Sequence, residues 1–371
     1  MDLVVLPPDA NASTYMFEAI DLATGDGGGQ RGTVRYGLGA VKGVGRGACE
    51  AIVEERDRGG AFADLLDFCK RVDSTKLNKR ALEALVHAGA LDALGRNRAS
   101  LMLQLPEVLK ATDQLARERE AGQNSLFGGG GGAAPELRIE LPQADEWPLL
   151  QRLQGERETL GHYLSGHPFD PYREDLRALL GHDLGDLDRI WAARPQEERR
   201  GWRQETTVVV AGQVIGMRKR GDSQAFVQLD DGHGRIECAF FAEAWNECAP
   251  LLTRDRILLV EGGLREDEFS GGFSLRARRA WDYVQACPGH AQRLSVQLDL
   301  REDAALERFL EALRGHEGAT PLLVEAITGQ ARGRLSINGG RGVRADAALP
   351  GLLRALPGVR AVRLHLARPW G

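Results

Sequence analysis

The chain has 371 residues, 43% of them hydrophobic and 27% charged, with a formal net charge of −5. That length allows roughly two to four domains, and no apolar run approaches the roughly eighteen residues that a membrane helix needs. The acidic balance excludes a chain that coats nucleic acid along its whole length, and five dispersed cysteines without a CxxC pair exclude a disulfide framework or a zinc knuckle.

Residues 1–36 carry one strand-like run, LVVL, then loop chemistry ending in GDGGGQRG, too little to bury a core alone. MDLVVLPPDANAS has no basic n-region and its apolar run stops at Pro7 and Pro8, so a signal peptide is not expected. With the cysteine pattern, this points to a reducing cytoplasm. Residues 37–120 read as an all-α unit of four or five short helices. AIVEERDRGG, ADLLDFCKRV, KRALEALVHAGAL and SLMLQLPEVLKATDQLARERE repeat apolar residues at spacings of three and four, with Gly59, Gly60, Gly89 and Gly95 as stops. From residue 31 to 110, fourteen Lys and Arg stand against ten Asp and Glu, a local basic excess in an acidic chain.

Residues 121–136, AGQNSLFGGGGGAAPE, hold five consecutive glycines and read as a flexible linker. Residues 137–204 form a helical connector, with WPLLQRLQGERETLGHYLSG closed by His167 and Pro168. From Glu205 the period becomes two. Over 205–286 five strands with a helix between the third and fourth follow the order of an OB-fold barrel. Residues 288–371 alternate strands and helices as a small α+β domain. The expected fold is multidomain α+β: an all-α unit, a five-stranded barrel, then the α+β domain.

GLGAVKGVG, residues 37–45, packs four glycines and a lysine into nine positions just before a helical run. A P-loop requires lysine after the last glycine and then Ser or Thr; Lys42 precedes Gly43 and no hydroxyl follows. The dinucleotide fingerprint GxGxxG also fails, because Gly43 comes one residue late and no βαβ pattern surrounds it. What remains is a hairpin in which Lys42, Gly43, Val44 and Gly45 turn and expose backbone N–H groups at a helix start, with Arg46 adding charge. Such a device suits a phosphate and reads no base; a ligand-free glycine turn is the alternative. KLNKRALEALVHAGALDALG, residues 76–95, repeats the plan with Lys76, Lys79 and Arg80, so glycine-exposed amides are expected at two helix starts.

RYGLGAVKGVGRGACEAIVEER, FADLLDFCKRVDSTKLNKRALEALVHAGALDALG and ERETLGHYLSGHP together resemble the helix-hairpin-helix and connector segments of the bacterial replicative DNA polymerase III alpha subunit family, and VVLPPDANAS is similar to the end of its fingers region. The resemblance implies residues 1–36 as the end of the fingers, 37–120 as a DNA-binding unit, and a catalytic palm with magnesium-binding acids in a segment this chain does not contain. The chain alone is then not expected to polymerise nucleotides, although its family is a DNA-directed DNA polymerase, a nucleotidyltransferase, and magnesium is expected only in that palm. The family attaches to the beta sliding clamp through Q-x-x-L-F. Gln123, Leu126 and Phe127 fit that form, and two large apolar residues in a linker are expected to look for an external pocket; a linker end folding back onto the helical unit is the alternative.

The resemblance further implies that the barrel handles single-stranded DNA; a barrel that only packs against its neighbours is the alternative, since its strands also carry Glu237, Glu261 and Asp267. Arg218, Lys219, Arg220, Arg276 and Arg278 offer cations near the ligand-facing loops, and Phe226, Phe240, Phe269 or Phe273 offer stacking surfaces, half of them expected in the core. Residues 288–371 correspond in position to the part that binds the clamp-loader tau subunit. Two other readings stay open: a free-standing single-strand-binding or adaptor protein, and part of an error-prone relative. Asp230 and Asp231 read as a hairpin tip, His162 and His167 as a helix end, and Cys69 as an apolar helix face, none of them catalytic or metal-binding.

Overall fold

The computed structural model describes residues 4–20, 32–120, 141–194, 205–267, 271–337 and 342–370. The chain divides into two compact units, Met1–Gly166 and His167–Gly371.

In the first unit, strands β1 (Val4–Leu6), β2 (Glu18–Ile20) and β3 (Thr33–Arg35) form a small sheet in the order β1-β3-β2. The last two are three-residue strands, too short for any period to mark them. This segment is clasped to the helices that follow: Asn11 exchanges hydrogen bonds with the backbone of Phe62, at 3.0 and 2.7 Å. Four helices then come in order, α1 (Arg46–Gly59), α2 (Leu65–Arg71), α3 (Lys79–His87) and α4 (Arg98–Glu120). Their apolar stripes meet in one core that includes Ile52, Phe68, Leu82, Leu85, Leu101 and Leu105. A fifth helix, α5 (Leu149–Leu160), adds Leu160 to that core. The boundary at Gly166/His167 thus falls inside the stretch that the sequence reads as one connector.

The second unit opens with α6 (Asp170–Leu180) and α7 (Leu187–Ala192). Strands β4 (Thr206–Lys219), β5 (Gln224–Asp230), β6 (Arg235–Phe241), β7 (Ile257–Asp267) and β8 (Gly272–Asp282) close into a barrel in the order β4-β5-β6-β8-β7, with α8 (Ala242–Cys248) between β6 and β7. Closure comes from the parallel pairing of β6 with β8, which sets Ala239 opposite Arg276. This is the OB-fold topology anticipated from the change of period. A helix the sequence did not suggest, α9 (Tyr283–His290) with Pro288 inside it, runs across the position where the barrel was expected to end.

The remaining chain gives β9 (Ala291–Asp299), α10 (Ala305–Leu313), β10 (Glu317–Gly318), β11 (Leu322–Ile327), β12 (Arg332–Ile337), β13 (Gly342–Val343), α11 (Leu349–Arg354) and β14 (Val359–Leu366). Four of these strands form a sheet ordered β12-β11-β9-β14. Its inner face shares a core with α6 and α9 through Leu176, Tyr283, Leu294, Val296 and Leu364. No helix among the described residues is long and apolar enough to cross a membrane.

Candidate nucleic-acid interface

The nine residues 37–45 do two separate jobs. Leu38 and Gly39 donate their N–H groups to the carbonyls of Thr14 and Tyr15, at 2.8 and 3.0 Å. A Cβ at Gly37 would meet the backbone of Met16, and one at Gly39 the ring of Tyr15. These two glycines therefore serve close packing inside the unit. After a single 3-10 turn, Leu38–Ala40, the chain reverses. Gly43 sits at φ +90°, a conformation open to glycine and costly for side chains, while Val44 is buried in the core as the hairpin's plug.

Beyond the turn the surface opens. Nothing lies within 4 Å of a Cβ built on Gly45 or Gly47. The Lys42 N–H is taken by the Thr159 carbonyl at 2.8 Å and the Val44 N–H by Val41 at 3.1 Å, but among the described residues the N–H groups of Gly43, Gly45, Arg46 and Gly47 have no acceptor. Gly45 is the N-cap of α1 and supplies no side chain to satisfy them. Unpaired donors at the positive end of a 14-residue helix, with bare backbone in front of them, have the chemistry that suits an anion. Lys42 and Arg46 are exposed beside it, and Arg46 Nε donates to Glu50 Oε1 at 2.8 Å. A Cβ at Gly43 would sit 3.6 Å from the Ala84 methyl, and exposed Arg80 lies one turn before Ala84 on the same face of α3.

The second expected hairpin is corrected. Lys76, Lys79 and Arg80 are exposed as anticipated, with Lys79 3.7 Å from Glu83. The start of α3, however, is already capped, because the Ala81 N–H donates to Asn78 Oδ1 at 3.0 Å. Its glycine, Gly89 at φ +78°, closes the other end of the helix, where the Ala90 N–H returns to the Leu85 carbonyl at 2.9 Å. Arg98 packs against Gly89 and leaves no room for a Cβ there. Buried Arg98 pairs with Asp92 and with fully buried Glu156, each at 2.9 Å. Glu156 also accepts from the N–H groups of Leu164 and Ser165, and although burial alone would raise its carboxyl, these donors with Arg98 hold it below its ordinary value.

On the barrel, Arg218, Lys219, Arg220 and Arg276 are all exposed. Three of them lie over aromatic rings: Arg218 over Phe226 at 5.1 Å, Lys219 over Trp245 at 5.3 Å and Arg276 over Phe241 at 5.9 Å. Phe226 and Phe241 stand on β5 and β6, the second and third strands, the face by which OB folds hold oligonucleotides. Phe240 is a correction: it is 0% exposed in the barrel core with Val227 and Cys238. Phe273 packs against Trp191, 5.9 Å between centroids, and Phe269 lies outside the described residues. Phe241 and Trp245 are the aromatics that sequence reading missed. Strand alternation could have found Phe241, because Ile236, Cys238 and Phe240 point inward and the next residue must point out.

The remaining polar candidates are engaged in structure. Asp230 accepts from Gly232 N at 2.7 Å and Arg235 Nε at 2.6 Å; Asp231 accepts from Leu184, His233 and Gly234 N–H groups at 2.8 Å. This adjacent pair is consumed by its turn and does not fit a metal-binding role. His167 Nδ1 accepts from Phe169 N at 3.1 Å, and burial pushes its imidazole below the ordinary value. Burial pushes the Cys69 thiol up to about 12, unsuited to nucleophilic work. Gln123, Leu126 and Phe127 lie outside the described residues.

Comparison with known proteins fits this geometry. Residues 2–101 match the family model of the helix-hairpin-helix motif, and residues 208–282 match that of an OB-fold nucleic acid binding domain. The chain thus joins two modules of nucleic-acid-binding classes. It is 52% identical over its whole length to DNA polymerase III subunit alpha of Xylella fastidiosa, covering 31% of that protein. It is 36% identical over 98% of its length to the subunit of Escherichia coli K12, covering 30%, and 38% identical over 91% to that of Vibrio cholerae, covering 28%. The chain belongs to the DNA polymerase III alpha subunit family as a match to its C-terminal region, and spans under a third of the length of the curated relatives it matches.

Proposed function

We propose that these 371 residues hold DNA and tether a bacterial replicative polymerase to its partners. The observation that carries this reading is the hairpin, where four exposed residues carry N–H groups without an acceptor among the described residues, two of them, Gly45 and Gly47, with open space where a side chain would be, beside Lys42 and Arg46. It grips duplex phosphates without reading bases. The barrel receives single-stranded DNA through Arg218, Lys219, Arg220 and Arg276. QNSLF, with Gln123, Leu126 and Phe127, docks on the beta sliding clamp, and residues 288–371 bind the clamp-loader tau subunit. In support of the last, Leu306 and Leu310, one turn apart on α10, are 45% and 53% exposed. Nucleotide transfer and its magnesium belong to a palm outside these residues, and the place of work is the cytoplasm.

Affinity for duplex DNA measured across a salt series tests the grip: log K falls by about 0.9 per log unit of salt for each phosphate neutralised. Affinity that ignores salt contradicts it. For the clamp, replacing Leu126 and Phe127 together by alanine abolishes co-elution with the ring, and unchanged co-elution removes the peptide from the account.

A further inference from the structure

The outward face of the barrel carries more than scattered cations. Across four strands the register aligns Arg218 with Phe226, Phe226 with Ala239, and Ala239 with Arg276. The small Ala239 lets two rings approach across it, and Phe226 and Phe241 stand 6.0 Å apart with planes at 89°. The third ring, Trp245 on α8, is fixed beside them, because the Ala242 N–H at the start of that helix donates to the Ser223 carbonyl of the first interstrand loop at 3.0 Å. Each ring has its own cation within 6 Å of the centroid, the range of a cation–π contact. The barrel core is filled from the other side of these strands by Val227, Cys238 and Phe240 without Phe226 or Phe241, while Trp245 packs one side against that core.

The geometry points to a covered stacking platform: three aromatic faces, each shielded by a cation in the free chain, that exchange those cations for the bases of a single strand. A base takes the place of the cation on the ring. The released guanidinium or ammonium stays on its flexible stem and pairs with the neighbouring phosphate, so the ring and the cation each regain a partner. Arg218 also leaves Glu237, now 3.6 Å away, for a stronger anion. The right angle between the two phenyl planes decides the polymer. Two bases lying on them must be turned about 90° from each other, which a single strand tolerates and a parallel duplex stack does not. This inference rests on the proposed reading that the barrel takes single-stranded DNA.

The experiment uses the full chain, a fluorescent oligothymidylate and a blunt duplex. Replacing Phe226 and Phe241 together by leucine keeps the strands covered and weakens oligothymidylate binding about tenfold for each ring lost, with an unchanged salt slope and unchanged duplex binding. Replacing Arg218 and Arg276 together by alanine instead makes the salt slope shallower by about 1.4. If the leucine variant melts with the parent and binds the strand equally well, the platform is wrong while the barrel remains a single-strand site. If the parent chain itself does not bind oligothymidylate, the underlying reading fails first. Should the leucine variant not fold, photo-cross-linking of a 5-iodouracil oligonucleotide to the parent chain decides: adducts on Phe226, Phe241 or Trp245 support the platform, and adducts confined to other residues overturn it.

Discussion

The hairpin and the barrel face are suited to the same polymer by opposite means. At the hairpin the donors are backbone amides of Gly43, Gly45, Arg46 and Gly47, and the residues matter for what they lack. On the barrel the groups are all side chains, rings and cations that can move. A backbone site is as good as the scaffold that fixes it, whereas a side-chain site can be removed atom by atom with its scaffold intact. The two should therefore answer differently to substitution.

The largest expected effect attacks the scaffold. Lys42 hangs the hairpin on Thr159 of α5, the helix that carries Glu156. Glu156→Ala leaves buried Arg98 with Asp92 as its remaining carboxylate, beside the His87 carbonyl, and lowers stability by about 3 kcal/mol, the low end for a broken buried pair. Thermal unfolding should show it, with duplex binding lost and oligothymidylate binding at the barrel kept. If both fall together, the distinction between the two sites is broken.

Gly43→Val comes next. At φ +90° a side chain costs about 1–2 kcal/mol, readable as a fall in melting temperature. Gly45→Val is the sharper case, because Gly45 sits at φ −73° with open space where the side chain would go. It should lower the melting temperature only by the loss of a favoured N-cap residue, less than Gly43→Val does, and still weaken duplex binding by holding the phosphate off the amides. Lys42→Ala and Arg46→Ala should each reduce the salt slope of duplex binding by about 0.9 without changing oligothymidylate contacts at the rings.

The smallest effect lies away from both surfaces. Arg301 and Arg360 hold the Asp299 carboxylate, at the end of β9, well below its usual range. A depressed carboxyl stabilises the fold above its unfolded value and loses that contribution as pH falls below about 4. The C-terminal sheet should therefore loosen with acid, read by hydrogen exchange, and Asp299→Asn should remove that part of the acid dependence.

Much of this was legible in the sequence where the signal was local. Apolar spacings placed α1 to α4, and the change of period with one interposed helix gave the barrel's order. What was not legible depended on distant partners. Nothing local distinguishes Gly37 and Gly39, which make room for Tyr15 and Met16, from Gly45 and Gly47, which face open space. KLNKRALEALVHAGAL looked like a repeat because its composition matched, yet Asn78 caps the helix and Arg98 occupies its glycine turn. Phe240 and Phe241 differ only by strand parity, and the wrong member was taken for the surface.

Amide hydrogen exchange across residues 42–47 of the full chain, with and without duplex DNA, tests the central claim most directly. The account predicts fast exchange at Gly43, Gly45, Arg46 and Gly47 in the free chain, and clear protection of these four when duplex is bound at low salt. Saturating duplex that leaves their exchange unchanged would contradict it.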